Sequence, residues 1–248
     1  MTTSRAFPLN LLLLAGSAEA RDLAERLSGA GHRVTTWMTE PPRSPAPMPV
    51  PVQLRDPKDS AALRRDMAAY DAVLDLSHSF DAALSRAGFA AATALGLPYM
   101  RFERPAWPLN APSITAAPGV AEAARAIPMG ARVFAATGWA SLPDFLPFQG
   151  SRLMLRQTHR HERPAPYDFV DLVFGDPPFV TEAEIALFRA LSVDLLICRN
   201  LGGRASRPKV DAAVALGLPI ILIDRPARPA DAPRVETLDA MIDWVAQL

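Results

Sequence analysis

The chain has 248 residues, half of them hydrophobic, with 26 basic against 26 acidic side chains. That length suits one large domain or two small ones, and the charge balance argues against a nucleic-acid binder or an acidic disordered tail. A single cysteine, Cys198, excludes a disulfide framework and a multi-cysteine metal site, and fits a reducing cytoplasm.

In chain order, Leu11–Leu14 is a continuous apolar run, the pattern of a parallel strand buried on both faces. With Arg5 before it and Ala18-Glu19-Ala20 after it the run imitates a secretory leader, but it is short and Asn10 breaks its start, so it is read as a first strand. Ala15-Gly16-Ser17 turns into a helix with Ala20, Leu23, Ala24 and Leu27 on its inner face; Arg33–Trp37 is the second strand and Glu40–Pro51 a proline-rich loop. A helix over Ser60–Ala69, a strand over Ala72–Ser77, a helix from about Leu84 to Leu95 and a strand over Tyr99–Phe102 complete a βαβ series. Asn110–Pro118 reads as a linker. The pattern then restarts with the strand Arg132–Gly138, followed by strands Arg152–Arg156 and Phe169–Phe174. A helix follows over Glu182–Leu191, with Thr181 as cap and Glu184 closing a capping box. The strand Leu195–Cys198, a helix entered through Pro208, the strand Ile220–Ile223 and an amphipathic helix Leu238–Ala246 end the chain. No apolar run reaches the ~20 residues a membrane helix requires.

The restart is a duplication. Ala94–Pro108 (ALGLPYMRFERPAWP) and Ala215–Pro229 (ALGLPIILIDRPARP) share nine of fifteen positions at an offset of 121, about half the chain. We therefore expect two Rossmann-like parallel-sheet domains, residues 1–112 and 113–248, with a ligand cleft between them beyond the carboxyl ends of the strands.

The candidate site residues cluster at those strand ends. Gly16 and Ser17, and Gly138 in the second half, sit where a first strand turns into a helix, a place suited to phosphate; neither loop completes G-x-G-x-x-G, and a tight turn alone is the competing reading. Strand two ends in Thr35-Thr36-Trp37, without the carboxylate that holds an NAD ribose, which leaves NADP open. Arg199-Asn200-Leu201-Gly202-Gly203-Arg204 combines paired glycines with two guanidinium forks and is the stronger candidate for an anionic ligand. The offset carries His78 onto Arg199, so both halves place a cationic or titratable side chain past equivalent strands. His78 is the candidate proton donor or anion contact, with Ser77 beside it. Glu103-Arg104-Pro105 and Asp224-Arg225-Pro226 read as internal ion pairs, or Arg104 as a contact to an anionic substrate. His159 and His161 lack a metal spacing and read as surface; Cys198 packs in its strand; Trp107, Trp139 and Trp244 fit core or site wall equally.

Asp75-Leu76-Ser77-His78, Phe102-Glu103-Arg104-Pro105-Ala106-Trp107, Arg199-Asn200-Leu201-Gly202-Gly203, Lys209 and Ile223-Asp224-Arg225-Pro226 occur in the order found in precorrin-6A reductases, and over nearly its whole length the chain resembles that family. The resemblance implies an enzyme of cobalamin biosynthesis that uses NADPH to reduce one double bond of precorrin-6A, or of its cobalt complex, giving precorrin-6B. It implies a cytoplasmic monomer or homodimer whose partner is a tetrapyrrole bearing many carboxylates. On that reading Gly16, Ser17, Arg199, Asn200, Gly202 and Gly203 contact cofactor, Ser77 and Arg104 contact substrate, and His78 is catalytic.

The chain departs from the family pattern at its loops. Ala15-Gly16-Ser17 stands for Gly-Gly-Thr, Ser77-His78-Ser79-Phe80-Asp81 for Thr-His-Pro-Phe-Ala, and Gly138-Trp139 for Gly-Arg. Asp176-Pro177-Pro178-Phe179 stands for Arg-Gly-Pro-Phe, and Arg199 for a lysine. Two arginines fewer and two carboxylates more favour a second reading, a tetrapyrrole- or nucleotide-binding relative without catalysis. A third is a transferase with a nucleotide-linked donor.

Overall fold

The computed structural model describes residues 7–41 and 47–248. Arg5 and part of the Glu40–Pro51 loop lie outside the described residues. The chain forms two compact units, Met1–Arg104 with Pro226–Leu248, and Pro105–Arg225.

The first unit is built on a six-stranded parallel sheet in the order β12-β5-β4-β1-β2-β3. Its strands are β1 (Asn10–Ala15), β2 (Arg33–Met38), β3 (Val52–Leu54), β4 (Ala72–Leu76), β5 (Tyr99–Phe102) and β12 (Arg234–Val235). The apolar run of β1 lies at the centre because it has no polar face to offer: Leu11 to Leu14 are all fully buried. Leu11 and Leu13 pack with Ala20, Leu23, Ala24 and Leu27 of α1 (Ala18–Gly29) and with Met241 and Val245 of α7 (Leu238–Val245). Leu12 and Leu14 face the other way, onto Leu63 and Met67 of α2 (Ser60–Met67) and Leu84, Ala91 and Ala92 of α3 (Ala82–Leu95). The strand's period of two thus assigns one helical layer to each face.

The second unit repeats the plan in the order β6-β11-β10-β7-β8-β9, again all parallel. Here β6 is Ile114–Ala117, β7 Arg132–Ala136, β8 Arg152–Gln157, β9 Val170–Phe174, β10 Leu195–Arg199 and β11 Ile220–Ile223. Phe188 of α5 (Thr181–Ala190) and Val210 and Ala213 of α6 (Pro208–Ala215) close one face over Phe134, Met154, Leu196 and Leu222. α4 (Val120–Arg125) packs on β6 and β11, and beside it a 3-10 helix (Trp139–Phe145) follows β7 where the first unit has α1. Pro143 inside that segment removes a backbone donor and keeps it short.

Both sheets have the doubly wound order 3-2-1-4-5-6, with the sixth strand supplied from the opposite half of the sequence. After β5 the chain leaves and lays down β6 on the second sheet; after β11 it returns, and β12 pairs with β5. Asn110–Pro118 is therefore not a simple linker, since it contains β6, and residues 226–248 pack with the first unit and not with the second half as 113–248 would have it. The strands β3, β6 and β12 escape a sequence reading because they are two to four residues long and lie at a sheet edge. Thr181 is the first helical residue of α5, not its cap, and the Glu184 side chain is committed elsewhere. Among the described residues, no helix is long and apolar enough to cross a membrane, and no group of three or more His, Cys, Asp or Glu stands together to hold a metal.

Candidate functional site

In a doubly wound sheet the strand order reverses between strands one and four, and ligands bind beyond the carboxyl ends there. In the first unit that point lies between β1 and β4, where Gly16, Ser17, Ser77 and His78 meet. A methyl group on Gly16 would stand 2.5 Å from the His78 backbone nitrogen, so glycine is required for the two loops to touch. The Ser17 N–H is committed to the Leu76 carbonyl at 3.1 Å.

Beneath the loop lies a polar network that a sequence pattern does not show. Asp75 is fully buried; its carboxylate accepts from the Ser77 N–H at 2.9 Å, the Tyr99 hydroxyl at 2.6 Å and the Ser85 hydroxyl. Arg228, carried in by the segment before β12, stands 3.7 Å from that carboxylate. It donates to Ser77 Oγ at 3.3 Å and to the His78 carbonyl at 2.6 Å. Burial, with the Asp75 charge, drives the Tyr99 phenol far above its ordinary pKa, so it remains a donor. Ser77 thus serves the network, and the His78 backbone is fixed by it.

His78 Nδ1 accepts from the Phe80 N–H at 3.1 Å, which assigns the proton of the neutral ring to Nε2. Asp81 caps α3 through Leu84 N–H at 3.3 Å and accepts from the Thr39 hydroxyl at 2.8 Å. The added carboxylate in this loop is a helix cap.

Arg104 forms a two-pronged ion pair with Glu19 in the first turn of α1. Burial raises the Glu19 pKa, but hydrogen bonding and charge from Arg104 outweigh it, and the carboxyl titrates below the ordinary glutamate value. The positive end of α1, where the sequence leads one to expect a phosphate beside Gly16 and Ser17, therefore already holds a carboxylate.

In the second unit the switch point lies between β7 and β10, where Gly138 and Arg199 stand in the places of Gly16 and His78. A methyl group on Gly138 would lie 3.4 Å from the Arg199 guanidinium, so the contact between first and fourth strand-end loops is reproduced. Gly138, Gly202 and Gly203 all have left-handed φ, at 88°, 65° and 70°, and Gly202 lies hard against the Pro105 carbonyl. Asn200 is buried and clipped to the Trp107 backbone, accepting its N–H at 2.8 Å and donating to its carbonyl at 3.2 Å. Trp107 Nε1 donates to the Gly203 carbonyl at 3.0 Å, and Arg225 to the Asn200 carbonyl at 2.9 Å. Asn200 and Gly202 hold the loop's shape, and the Arg199 guanidinium lies beside Gly138.

Trp107 and Arg228 are themselves equivalent at the offset of 121. In each unit the crossover segment pins the loop after strand four, by an indole in one case and a guanidinium in the other.

Behind this site Glu184 is buried and bonded to Arg156 at 2.6 Å. Lys209 donates to the Ser206 carbonyl at 2.6 Å; burial lowers its ammonium below the ordinary lysine value, and burial raises the Cys198 thiol to about 11. A thiol so raised is inert near neutral pH.

A third group of side chains collects at the carboxyl ends of β7, β8 and β9. The Arg163 guanidinium lies over the Trp139 ring at 4.3 Å, His161 packs edge-on to Trp139 at 5.2 Å and to Phe174 at 5.4 Å, and Arg160 sits over Phe174 at 5.9 Å. His161 is therefore built into a cluster rather than loose on the surface. The signal for it, two arginines and two histidines within 159–163 just after a second strand, is visible in the sequence only once β8 is known to be strand two.

Two sheets of Rossmann order, with glycine-lined loops and a cationic or imidazole side chain at each switch point, define a duplicated doubly wound α/β protein. The chain belongs to the precorrin-6x reductase family: the family's model, described as precorrin-6x reductase CbiJ/CobK, matches residues 10–246. It is 32% identical over 242 residues to the precorrin-6A reductase of Rhodobacter capsulatus, covering 95% of each chain. It is 31% identical over 245 residues to the precorrin-6A reductase of Mycobacterium tuberculosis, covering 96% and 98%. A cobalt-precorrin-6A reductase of Priestia megaterium is 28% identical over 235 residues, covering 87% and 90%. The solved structure of a CobK precorrin-6A reductase superposes with a TM-score of 0.86 at 31% identity, covering 96% of this chain and 97% of that one.

Proposed function

We propose that the protein reduces precorrin-6A to precorrin-6B with NADPH, within the cytoplasm, as an oxidoreductase of cobalamin biosynthesis. The observation that carries this reading is the match of the family along both units, residues 10–246. NADPH supplies a hydride, a proton comes from the medium or a side chain, and one double bond of the macrocycle becomes saturated.

The chain's own residues supply position and charge. Arg199, at the end of β10 beside Gly138, is our candidate for a phosphate or carboxylate contact, on a loop shaped by the Asn200 clip and the left-handed glycines. His78 follows β4 on a loop fixed by Arg228 and Asp75, and we assign it to the substrate side as a hydrogen-bond or proton donor. The Glu19 carboxylate at α1 does not fit a phosphate there, so Gly16 and Ser17 shape the turn, and the cofactor's phosphates are assigned to the second unit.

NADPH oxidation with metal-free and cobalt-loaded precorrin-6A tests the reaction and its preferred substrate together. His78→Ala is expected to lower turnover more than NADPH affinity; an unchanged rate removes His78 from the chemistry. The engagement of Arg104 by Glu19 favours one other reading, a tetrapyrrole-binding relative without turnover. Calorimetric binding with no NADPH consumption would select it.

A further inference from the structure

We infer that Arg228 is the positioning residue for His78: by bonding the His78 carbonyl it holds rigid the turn from His78 to Asp81, and that turn aims the imidazole and fixes its tautomer. This rests on the reductase reading, in which His78 serves the substrate, and names the residue on which that service depends.

His78 closes the turn twice. Its carbonyl accepts the Asp81 N–H at 2.7 Å, and its ring nitrogen Nδ1 accepts the Phe80 N–H at 3.1 Å. The ring cannot rotate without opening the second of these bonds, and an Nδ1 that accepts leaves the proton of the neutral imidazole on Nε2. Phe80 lacks the positive φ that a type II turn requires at that place, so the turn belongs to the type I kind. The far end is tied down as well, since the Asp81 carboxylate caps α3 through the Leu84 N–H at 3.3 Å.

The turn has no stiffener of its own. Proline is favoured directly after the first residue of such a turn because its ring fixes φ. This chain has Ser79 there, where the family pattern has proline, and among the described residues the Ser79 N–H makes no hydrogen bond. Arg228 supplies the constraint from outside. Its side chain is 7% exposed and stands 3.7 Å from the fully buried Asp75 carboxylate. Its guanidinium donates to the His78 carbonyl at 2.6 Å and to the Ser77 and Ser85 hydroxyls, each at 3.3 Å. One planar group therefore ties the turn to the loop before it and to α3, and a fork held by a buried counter-charge yields little. The segment that carries Arg228 is itself held, because Arg86 of α3 donates to the Ala227 carbonyl at 3.0 Å.

NADPH oxidation with precorrin-6A and NMR of the nitrogen-labelled His78 ring are compared for the wild type, Arg228→Lys, Arg228→Met, Ser79→Pro and Ser79→Pro/Arg228→Met. The lysine variant keeps a cation beside Asp75 and so guards against a protein that fails to fold, but a single ammonium cannot reproduce the planar fork. Small misplacements of a positioned group are costly, so both Arg228 variants should lose about tenfold to a hundredfold in kcat with KM for NADPH within about twofold. Ser79→Pro alone should stay within about twofold of the wild type, and in the double variant the proline should bring kcat back to within about threefold, because it fixes the φ that the guanidinium no longer guards. The ring should show the Nε2–H tautomer alone in the wild type, a mixture in the Arg228 variants, and the single tautomer again in the double variant. A folded Arg228 variant with wild-type kcat and ring signals overturns the inference. So does a loss of kcat that Ser79→Pro does not restore, since the arginine would then act on something other than the turn. Ring signals that change and recover in this way, in a protein that consumes no NADPH, would uphold the positioning and reject the reductase reading; wild-type turnover that survives undiminished in the Arg228 variants would do the reverse.

Discussion

Removing the guanidinium of Arg228 leaves the Asp75 carboxylate fully buried with only hydroxyl and N–H partners. Breaking a buried ion pair by deleting one member costs about 3–5 kcal/mol, and Arg228→Ala is expected to lower stability by that order in denaturant unfolding. It also frees the His78 carbonyl, so the loop at the switch point should exchange its amide hydrogens faster. A loss under about 1 kcal/mol, within the range of a surface pair, would show that the pair does not hold the loop. At the same scale Asn200 and Ser77 become legible. Each resembles a ligand contact in sequence because it sits in a polar strand-end loop; in the fold the Asn200 amide bonds the Trp107 backbone, and Ser77 Oγ accepts from Arg228. Sequence spacing shows which residue types reach a strand end; it does not show which of them the fold has already engaged.

At the scale of elements, the reciprocal sixth strands make each unit depend on the far half of the chain. β12 pairs with β5 through Arg234 and Val235, and α7 closes the first core with Met241 and Val245. Truncation after Arg225 removes both and also Arg228, so the first unit should lose cooperative unfolding while the second, which keeps β6, retains its own transition. Two intact transitions in the truncated chain would contradict this assignment. The long central strands and helices are legible from periodicity, since Leu11–Leu14 and the α1 face Ala20, Leu23, Ala24, Leu27 can bury in only one way. The exchange is not, because β6 and β12 are too short to carry a period and their pairing is a choice between two similar sheets. Offsets of 121 for His78 and Arg199 and of 122 for Gly16 and Gly138 bring out the two equivalent switch points, with Gly16 against His78 and Gly138 against Arg199. They conceal the divergence of the two strand-two ends, which the repeat does not cover.

At the scale of the whole molecule, duplication supplied two similar frames that have since been fitted out differently. The first carries an imidazole on a loop locked by a buried ion pair, with a carboxylate at the start of α1. The second carries Arg199 and the stacked arginines, and a short 3-10 helix in place of α1. The division we propose, anion recognition in the second unit and a hydrogen-bond donor in the first, would suit a reductase of a polycarboxylate macrocycle. Its most direct measurement is transfer of deuterium from NADPH labelled on its reactive nicotinamide carbon to precorrin-6A. A reductase of this kind should yield a precorrin-6B product carrying the label, formed in step with NADP+. NADPH left unoxidised and an unlabelled, unreduced macrocycle, under conditions in which another precorrin-6A reductase turns over, would contradict it.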